Sequence, residues 1–151
     1  MKKTLCLLLI FIFTFITFAG CSEKTTDITI KIVVDEGDDG IYEQIILDEE
    51  LKITSDEPSI DDVIKHLSDN KKITVEYSTD EEGNAGLAVI NNYEIKDELK
   101  DIEDDIYTFY YWSASINGGE DVVGLWSEAK VQDDDVIIIK YVISDIALDT
   151  N

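Results

Sequence analysis

The side chains that most often carry out chemistry are scarce in this sequence. Its 151 residues include one histidine, His66, and two cysteines, Cys6 and Cys21. A zinc site needs several His or Cys ligands, and a nucleophilic Ser or Cys needs a neighbouring base, so both are poorly supplied here. The 34 acidic residues form carboxylate pairs by chance alone, and no pair stands out as a glycosidase dyad. We therefore predict that the chain is not an enzyme.

Calcium is the metal that the acidic turns of this chain would suit best. Asp35 and Gly40 fit positions one and six of an EF-hand-like loop, but Ile46 stands at position twelve, where that loop needs Glu. The acidic turns 80–84 and 133–135 are of the kind that binds calcium weakly. For all three, a solvated surface turn is the simpler interpretation, and we predict no metal ligands.

The charge of the chain excludes two classes of partner. Arginine is absent, and the formal net charge is −22. So acidic a chain is repelled by nucleic acid phosphates and by anionic lipid headgroups. Apolar residues nevertheless make up 44% of the sequence, which is too many for a disordered acidic tail. The length suits one domain, so we expect a single acidic folded domain that does not bind nucleic acid.

The N-terminus has the pattern of a targeting segment. Lys2 and Lys3 precede an almost wholly apolar run over 5–18, which is shorter than the roughly 20 residues that a spanning helix needs. The run ends in Phe18-Ala19-Gly20-Cys21. This order resembles the lipobox of bacterial lipoproteins, in which a small pair precedes an obligatory cysteine.

The lipobox resemblance implies a signal peptide over 1–20 that is removed before Cys21. It also implies that Cys21 is acylated, which would hold the protein to the extracytoplasmic face of the cell membrane through a short linker over 21–26. An ordinary secretory signal and an uncleaved anchor are the alternatives. Because Cys21 would be the only thiol of the mature chain, no disulfide is expected within it.

The rest of the chain reads mostly as strands. Residues 27–34 alternate Ile or Val with polar residues, which predicts a half-buried strand. A Gly/Asp-rich turn separates it from a second strand-like segment over 41–47, so the pair predicts a hairpin. Further strands are expected over 72–78, 87–90, 107–116 and 136–142, the last of them in the middle of a sheet.

One clear helix interrupts the strands. Ser59 is a natural N-cap, and four apolar residues follow at i, i+3, i+4 and i+7: Ile60, Val63, Ile64 and Leu67. The segment 95–106 also has helical spacing of Ile and Leu, but it is so acidic that a short helix and a loop fit it equally well.

Four segments resemble one known family. Gly86–Asn92 is similar to a motif of a small residue, a strand and Ile-Asn-Gly, and Tyr111–Glu120 to Tyr-Trp, a strand and Val-Asn-Gly-Glu. Val131–Ile137 is similar to Val-x-x-Gly-Asp-x-Ile, and the helix 59–67 to Thr-Val-Leu-Asp-Ala-Leu. Together they resemble the transcobalamin-like C-terminal domain family, which is widespread on bacterial surface proteins. The resemblance implies an α+β fold of the β-grasp (ubiquitin-like) type, with a mixed sheet and one crossing helix.

The resemblance covers 27–145 and leaves a short tail over 146–151. Asn92 and Asp134 stand where the family motifs have glycine. Asn and Asp tolerate positive φ better than most residues do, so we expect both turns to be kept.

Aromatic side chains are the best candidates for a binding site. Flat, largely apolar ligands are held by aromatic residues together with a few polar groups. The candidates are Tyr107, Tyr110, Trp112, Asn117 and Trp126. They lie in the segment where the corrinoid carriers of the resembled family contact their ligand, so the resemblance implies cobalamin or another corrinoid as the ligand. Trp126 is expected to be more exposed than Trp112, which lies on a strand.

The sequence thus supports two functions. The first is a membrane-anchored, extracytoplasmic binding module for a small ligand. The alternative is a non-catalytic interaction or structural domain that binds a surface protein or a glycan.

Overall fold

The computed structural model describes residues 24–55, 57–79, 85–101, 106–122 and 125–147. The predicted signal peptide, Cys21 and the turn 80–84 lie outside the described residues. So does the end of the predicted tail. No helix of the described residues is long and apolar enough to cross a membrane.

The described chain forms two sheets and one helix. A five-stranded sheet has the order β2-β1-β8-β7-β6, in which β1 and β8 are parallel and the other neighbours antiparallel. A three-stranded antiparallel sheet has the order β3-β4-β5. The predicted α+β class with a mixed sheet and one helix is confirmed. The elements are β1 (Thr25–Glu36), β2 (Gln44–Thr54), α1 (Ile60–Asp69), β3 (Val75–Thr79), β4 (Ala85–Ile90), β5 (Tyr93–Glu94), β6 (Lys96–Asp101), β7 (Ile106–Ile116) and β8 (Val136–Ala147).

The first strand and the helix match their predictions closely. The alternating residues of β1 are all at most 5% exposed: Ile28, Ile30, Ile32 and Val34. Ser59 caps α1 through a capping box with Asp62, and the four apolar residues of the predicted stripe are fully buried. Strand β8 lies between β1 and β7, so its predicted central place is confirmed.

Strand β2 is shifted relative to its prediction. It spans 44–54 rather than 41–47, and Ile41 and Tyr42 are left exposed before it. Its acidic residues are poor strand formers, but an edge strand tolerates outward charges well. Asp48 lies opposite Lys31 of β1 and forms an ion pair with it at 2.9 Å, so a cross-strand charge pair supports the strand.

Most of the described part of the acidic segment 95–106 is strand: residues 96–101 form β6, and Ile106 begins β7. Strand β6 pairs antiparallel with β7, from Lys96 opposite Tyr110 to Asp101 opposite Ile106. The expectation of a helix or a loop is therefore wrong for 96–101. The open edge of β7 supplies backbone partners, and this tertiary pairing outweighs a weak helical spacing.

The turns in the segments that resemble the family motifs use the left-handed backbone region. Asn117 and Gly118 have φ values of 55° and 66°, and Asp134 has 68°, so the turn is kept where the family motif has glycine. In the first motif the positive φ falls on Asn91, at 56°, and not on Asn92.

The core lies on one face of the large sheet, against the helix. Three strands contribute matching rows, and one of these rows joins Val34 of β1, Tyr141 of β8 and Trp112 of β7. The buried stripe of α1 belongs to the same apolar cluster. Trp112 is therefore a core residue at the point where that core meets the second sheet.

Candidate functional site

A groove of about 440 Å³ lies between α1, the β3–β4 part of the small sheet, and the loop 125–127. Among the described residues, its walls are mostly apolar: Leu87, Ile95, Trp112, Leu125 and Trp126. Four polar side chains also line it: Asp61, Lys65, Tyr77 and Ser127. We call this cavity the Trp groove.

The polar end of the Trp groove is organised around Asp61 in the first turn of α1. The Tyr77 hydroxyl donates a hydrogen bond to Asp61 Oδ1 at 2.9 Å, and Lys65 Nζ contacts Asp61 Oδ2 at 2.8 Å. Helical spacing of four residues places Asp61 and Lys65 side by side. Tyr77 is 39% exposed, and partial burial, reinforced by the neighbouring carboxylate, raises the pKa of its phenol, which therefore remains a hydrogen-bond donor.

Trp112 forms the inner wall of the Trp groove. Its side chain is 9% exposed, and its ring lies 5.0 Å from the Tyr141 ring and 6.5 Å, edge-on, from that of Tyr93. Both tyrosines are fixed by hydrogen bonds of their own, at 2.6 Å to Glu94 O and at 2.8 Å to Gln44 Oε1. The ring of Trp112 is thus held rigidly by its neighbours. Its Nε1 is buried and has no hydrogen-bond partner among the described residues.

Trp126 forms the outer wall and is partly buried against the core. A turn bond from Glu128 N to Leu125 O, at 2.9 Å, closes its loop. The next residues are tied to the start of α1, because Ile60 N donates to Ala129 O at 3.0 Å. Trp126 is more exposed than Trp112, as the sequence predicts. Backbone bonds therefore position Trp126 over the same helix end that carries Asp61.

The other three predicted ligand residues do not line the Trp groove. Lys96 Nζ lies 4.5 Å from the centre of the Tyr110 ring, and the Tyr107 ring packs 6.4 Å from that of Phe109. Asn117 uses its side chain in the fold, because its Oδ1 accepts from Val136 N at 2.8 Å and its Nδ2 donates to an Asp135 carboxylate. The structure thus brings Trp112 and Trp126 together and leaves the others elsewhere.

Sequence reasoning missed the residues that complete the groove. Asp61 reads as an ordinary anion in the first turn of a helix, and Tyr77 as one residue of a strand. Leu87 likewise belongs to a short strand with no special pattern. No local signal in the sequence shows that the small sheet brings Tyr77 to the helix.

In the two acidic turns that the structure describes, carboxylates accept hydrogen bonds from backbone N–H groups. The carboxylate of Asp35, fully buried, accepts bonds from Asp39 N and Gly40 N at 3.2 Å each. The Asp135 carboxylate accepts from Gln132 N at 2.7 Å. Among the residues that the structure describes, no group of three or more Asp, Glu, His or Cys side chains is arranged to hold a metal ion.

Similarity to known proteins is found among solved structures. No protein-family model matches the chain, and no curated protein matches it. A crystal structure of a candidate metal-binding protein from Ruminococcus gnavus ATCC 29149 is similar, with 16% sequence identity and a TM-score of 0.44. The similarity covers 80% of this chain and 98% of that one. A likeness at this level supports no inference about ligand or activity.

Proposed function

We propose that this chain is a binding module for a small ligand with a flat, mostly apolar body, and that the Trp groove is its binding site. The observation that carries the proposal is the convergence of Trp112, Trp126 and Asp61 on one cavity. Small-molecule sites are concave and mostly apolar, with a few polar groups that fix orientation. The volume of about 440 Å³ falls within the range of roughly 300–1,000 Å³ that such sites occupy.

We also propose that the fold is a β-grasp of the transcobalamin-like type. An N-terminal hairpin, a helix and a final strand that runs parallel to β1 in the middle of the sheet support this assignment. The family resemblance then implies a corrinoid. A corrinoid is much larger than the Trp groove, so only its edge would enter. Cobalamin is accordingly one ligand to test, beside smaller flat molecules.

The membrane anchor belongs to the same proposal. Acylation of Cys21 would tether the domain at the extracytoplasmic face, and the first strand begins at Thr25, four residues later. At about 3.5 Å per residue, that spacer reaches only roughly 14 Å. The acidic domain would stand off anionic headgroups over about one Debye length, roughly 8 Å. An unmodified Cys21 on protein made in its own host, seen by mass spectrometry, would refute this part.

One observation favours the alternative of a surface interaction domain. Three large apolar side chains are exposed where the edge strand β2 begins: Ile41 at 64%, Tyr42 at 38% and Ile45 at 58%. Exposed apolar patches and free strand edges are common sites for binding another protein. We call these three residues the β2 patch.

A fluorescence titration separates the two functions. Quinoline, a flat probe, and cobalamin are each added to the purified domain while tryptophan emission is followed. The proposal predicts saturable quenching. It also predicts that Trp126→Ala raises the dissociation constant at least tenfold, because an anchoring aromatic side chain is lost. Ile45→Ser in the β2 patch is the control and should leave binding unchanged. If neither compound binds and Ile45→Ser removes an association with surface protein, the interaction domain is the better account.

A further inference from the structure

The electrostatics of the Trp groove favour one class of ligand. Among its described lining residues, Asp61 is the one carboxylate, and its side chain is only 19% exposed. Lys65 is the one cation, and its side chain is 58% exposed. The chain as a whole carries a formal charge of −22, so its field draws cations toward every cleft and repels anions.

The ammonium of Lys65 holds the place that a ligand's positive charge could take. It contacts Oδ2 of Asp61, whereas Tyr77 holds Oδ1. An exposed i,i+4 ion pair on a helix is weak, and the lysine side chain is flexible. Lys65 can therefore move aside at little cost, while the bond from Tyr77 keeps the carboxylate oriented toward the groove.

The walls suit a positive charge as well. The faces of Trp and Tyr rings attract cations, most strongly for Trp. The chain already shows this interaction at another place, where the Lys96 ammonium lies over the Tyr110 ring at 4.5 Å. Trp112, Trp126 and Tyr77 together offer a ligand three aromatic rings beside one oriented carboxylate.

We infer that the Trp groove selects flat organic cations, with the ring against its tryptophan walls and the positive charge at Asp61 Oδ2. This inference rests on the proposed small-ligand function and names its ligand class. It predicts that a neutral ligand of the same shape binds more weakly and that an anionic one binds most weakly of all.

Two probes of matched shape test the charge preference. The 1-methylquinolinium cation and quinoline, at pH 8 where quinoline is neutral, are titrated into the full folded domain by calorimetry. We expect the cation to bind about three- to thirtyfold more tightly, as cation–π and carboxylate contacts together would give. Asp61→Asn should remove the part of this preference that comes from the carboxylate, so that the ratio of the two affinities falls clearly, while quinoline affinity stays within about twofold. Lys65→Met should strengthen cation binding.

A control variant removes the same charge elsewhere. Glu128 is exposed and does not line the groove, so Glu128→Gln changes the net charge equally and should keep the preference. Equal affinity for both probes would overturn the charge preference and leave the small-ligand function standing. An equal loss of affinity for both probes in Asp61→Asn would also overturn the charge preference and leave the small-ligand function standing. Failure of both probes to bind would instead count against the proposed function itself.

Discussion

The hydroxyl of Tyr77 donates a hydrogen bond to Oδ1 of Asp61 at 2.9 Å, and this bond joins strand β3 to the first turn of α1. The two residues are sixteen positions apart and belong to different layers of the fold. Their contact closes one end of the Trp groove. The small sheet is thereby fastened to the helix at the point where the groove is most polar.

Removing the Tyr77 hydroxyl should loosen this attachment measurably. Tyr77→Phe keeps the ring but loses a bond to a charged acceptor, and we expect the free energy of unfolding to fall by about 1 kcal/mol. Chemical denaturation at pH 7 measures this. An unchanged stability would mean that water replaces the bond fully.

The same residue predicts a response to alkaline pH. Because partial burial and the bond to Asp61 raise the pKa of Tyr77, the folded state holds the phenolic proton more tightly than the unfolded chain does. The stability that this protonated phenol contributes is complete below the unfolded pKa of about 10. It is lost as pH rises toward the higher pKa of the folded state. The denaturation midpoint of the native chain should thus fall more steeply above pH 10 than that of Tyr77→Phe. Parallel curves would contradict the assignment.

The capping box at the start of α1 predicts a response to acid. The Ser59 hydroxyl and backbone N–H donate to the Asp62 carboxylate at 2.7 and 2.9 Å, and these bonds lower the pKa of Asp62. Its contribution is complete above the ordinary carboxyl pKa of about 3.9 and disappears as pH falls through the lowered folded value. Ser59→Ala should cost about 1 kcal/mol at pH 7 and less at pH 2.

Asp69 provides a matched control for the cap. It ends the same helix and is exposed, so Asp69→Asn removes a carboxylate without touching the capping box. We expect Asp69→Asn to leave stability within about 0.5 kcal/mol at pH 7. A loss as large as that of Ser59→Ala would show that helix charge, and not the cap, governs the effect.

Lys140 should stabilise two loops at once. On the sheet face away from the core cluster, its Nζ contacts Asp38 at 3.0 Å and Asp121 at 3.6 Å, and its side chain is 15% exposed. Lys140→Met should cost about 1–2 kcal/mol, because partly buried pairs are worth more than exposed ones. Lys52→Met is the comparison, since the Lys52 side chain is 75% exposed beside Asp27 and its replacement should destabilise the fold less. Equal losses would refute the difference in burial as the cause.

Two of the buried hydroxyls on strand β7 have opposite expected effects on stability. Ser113 is 7% exposed, and its Oγ has no hydrogen-bond partner among the described residues. Thr108 is 6% exposed and donates to Asp145 Oδ1 at 2.7 Å. Ser113→Ala should be neutral or stabilising, whereas Thr108→Val should cost about 1 kcal/mol. Thermal denaturation of the two variants checks the contrast, and destabilisation by Ser113→Ala would contradict it.

Local patterns predicted those parts of the fold that depend on nearby residues. The spacing of apolar residues from Ile60 to Leu67 correctly predicted the buried face of α1, and Ser59 correctly predicted where the helix begins. The β-branched run at 136–142 reported the central strand. Strand β6 was not predicted, because its pairing with β7 stabilises a strand that its own acidic sequence does not favour. The shift of β2 has a similar origin at the sheet edge.

The candidate site was only partly predictable for the same reason. Trp112 and Trp126 stood out by residue type. Asp61, Tyr77 and Leu87 did not, because each reads locally as an ordinary helix or strand residue. Their meeting depends on how the small sheet packs near α1, which is a long-range property.

The most direct test of the account uses the two indole N–H signals of the domain in a two-dimensional NMR spectrum. The chain has two tryptophans, so Trp126→Phe assigns both signals. On titration with 1-methylquinolinium we expect both indole signals to shift and to saturate with one shared dissociation constant. Backbone amides of the β2 patch should stay in place. Indole signals that remain fixed at saturating probe, with shifts confined to the β2 patch, would contradict a binding site in the Trp groove.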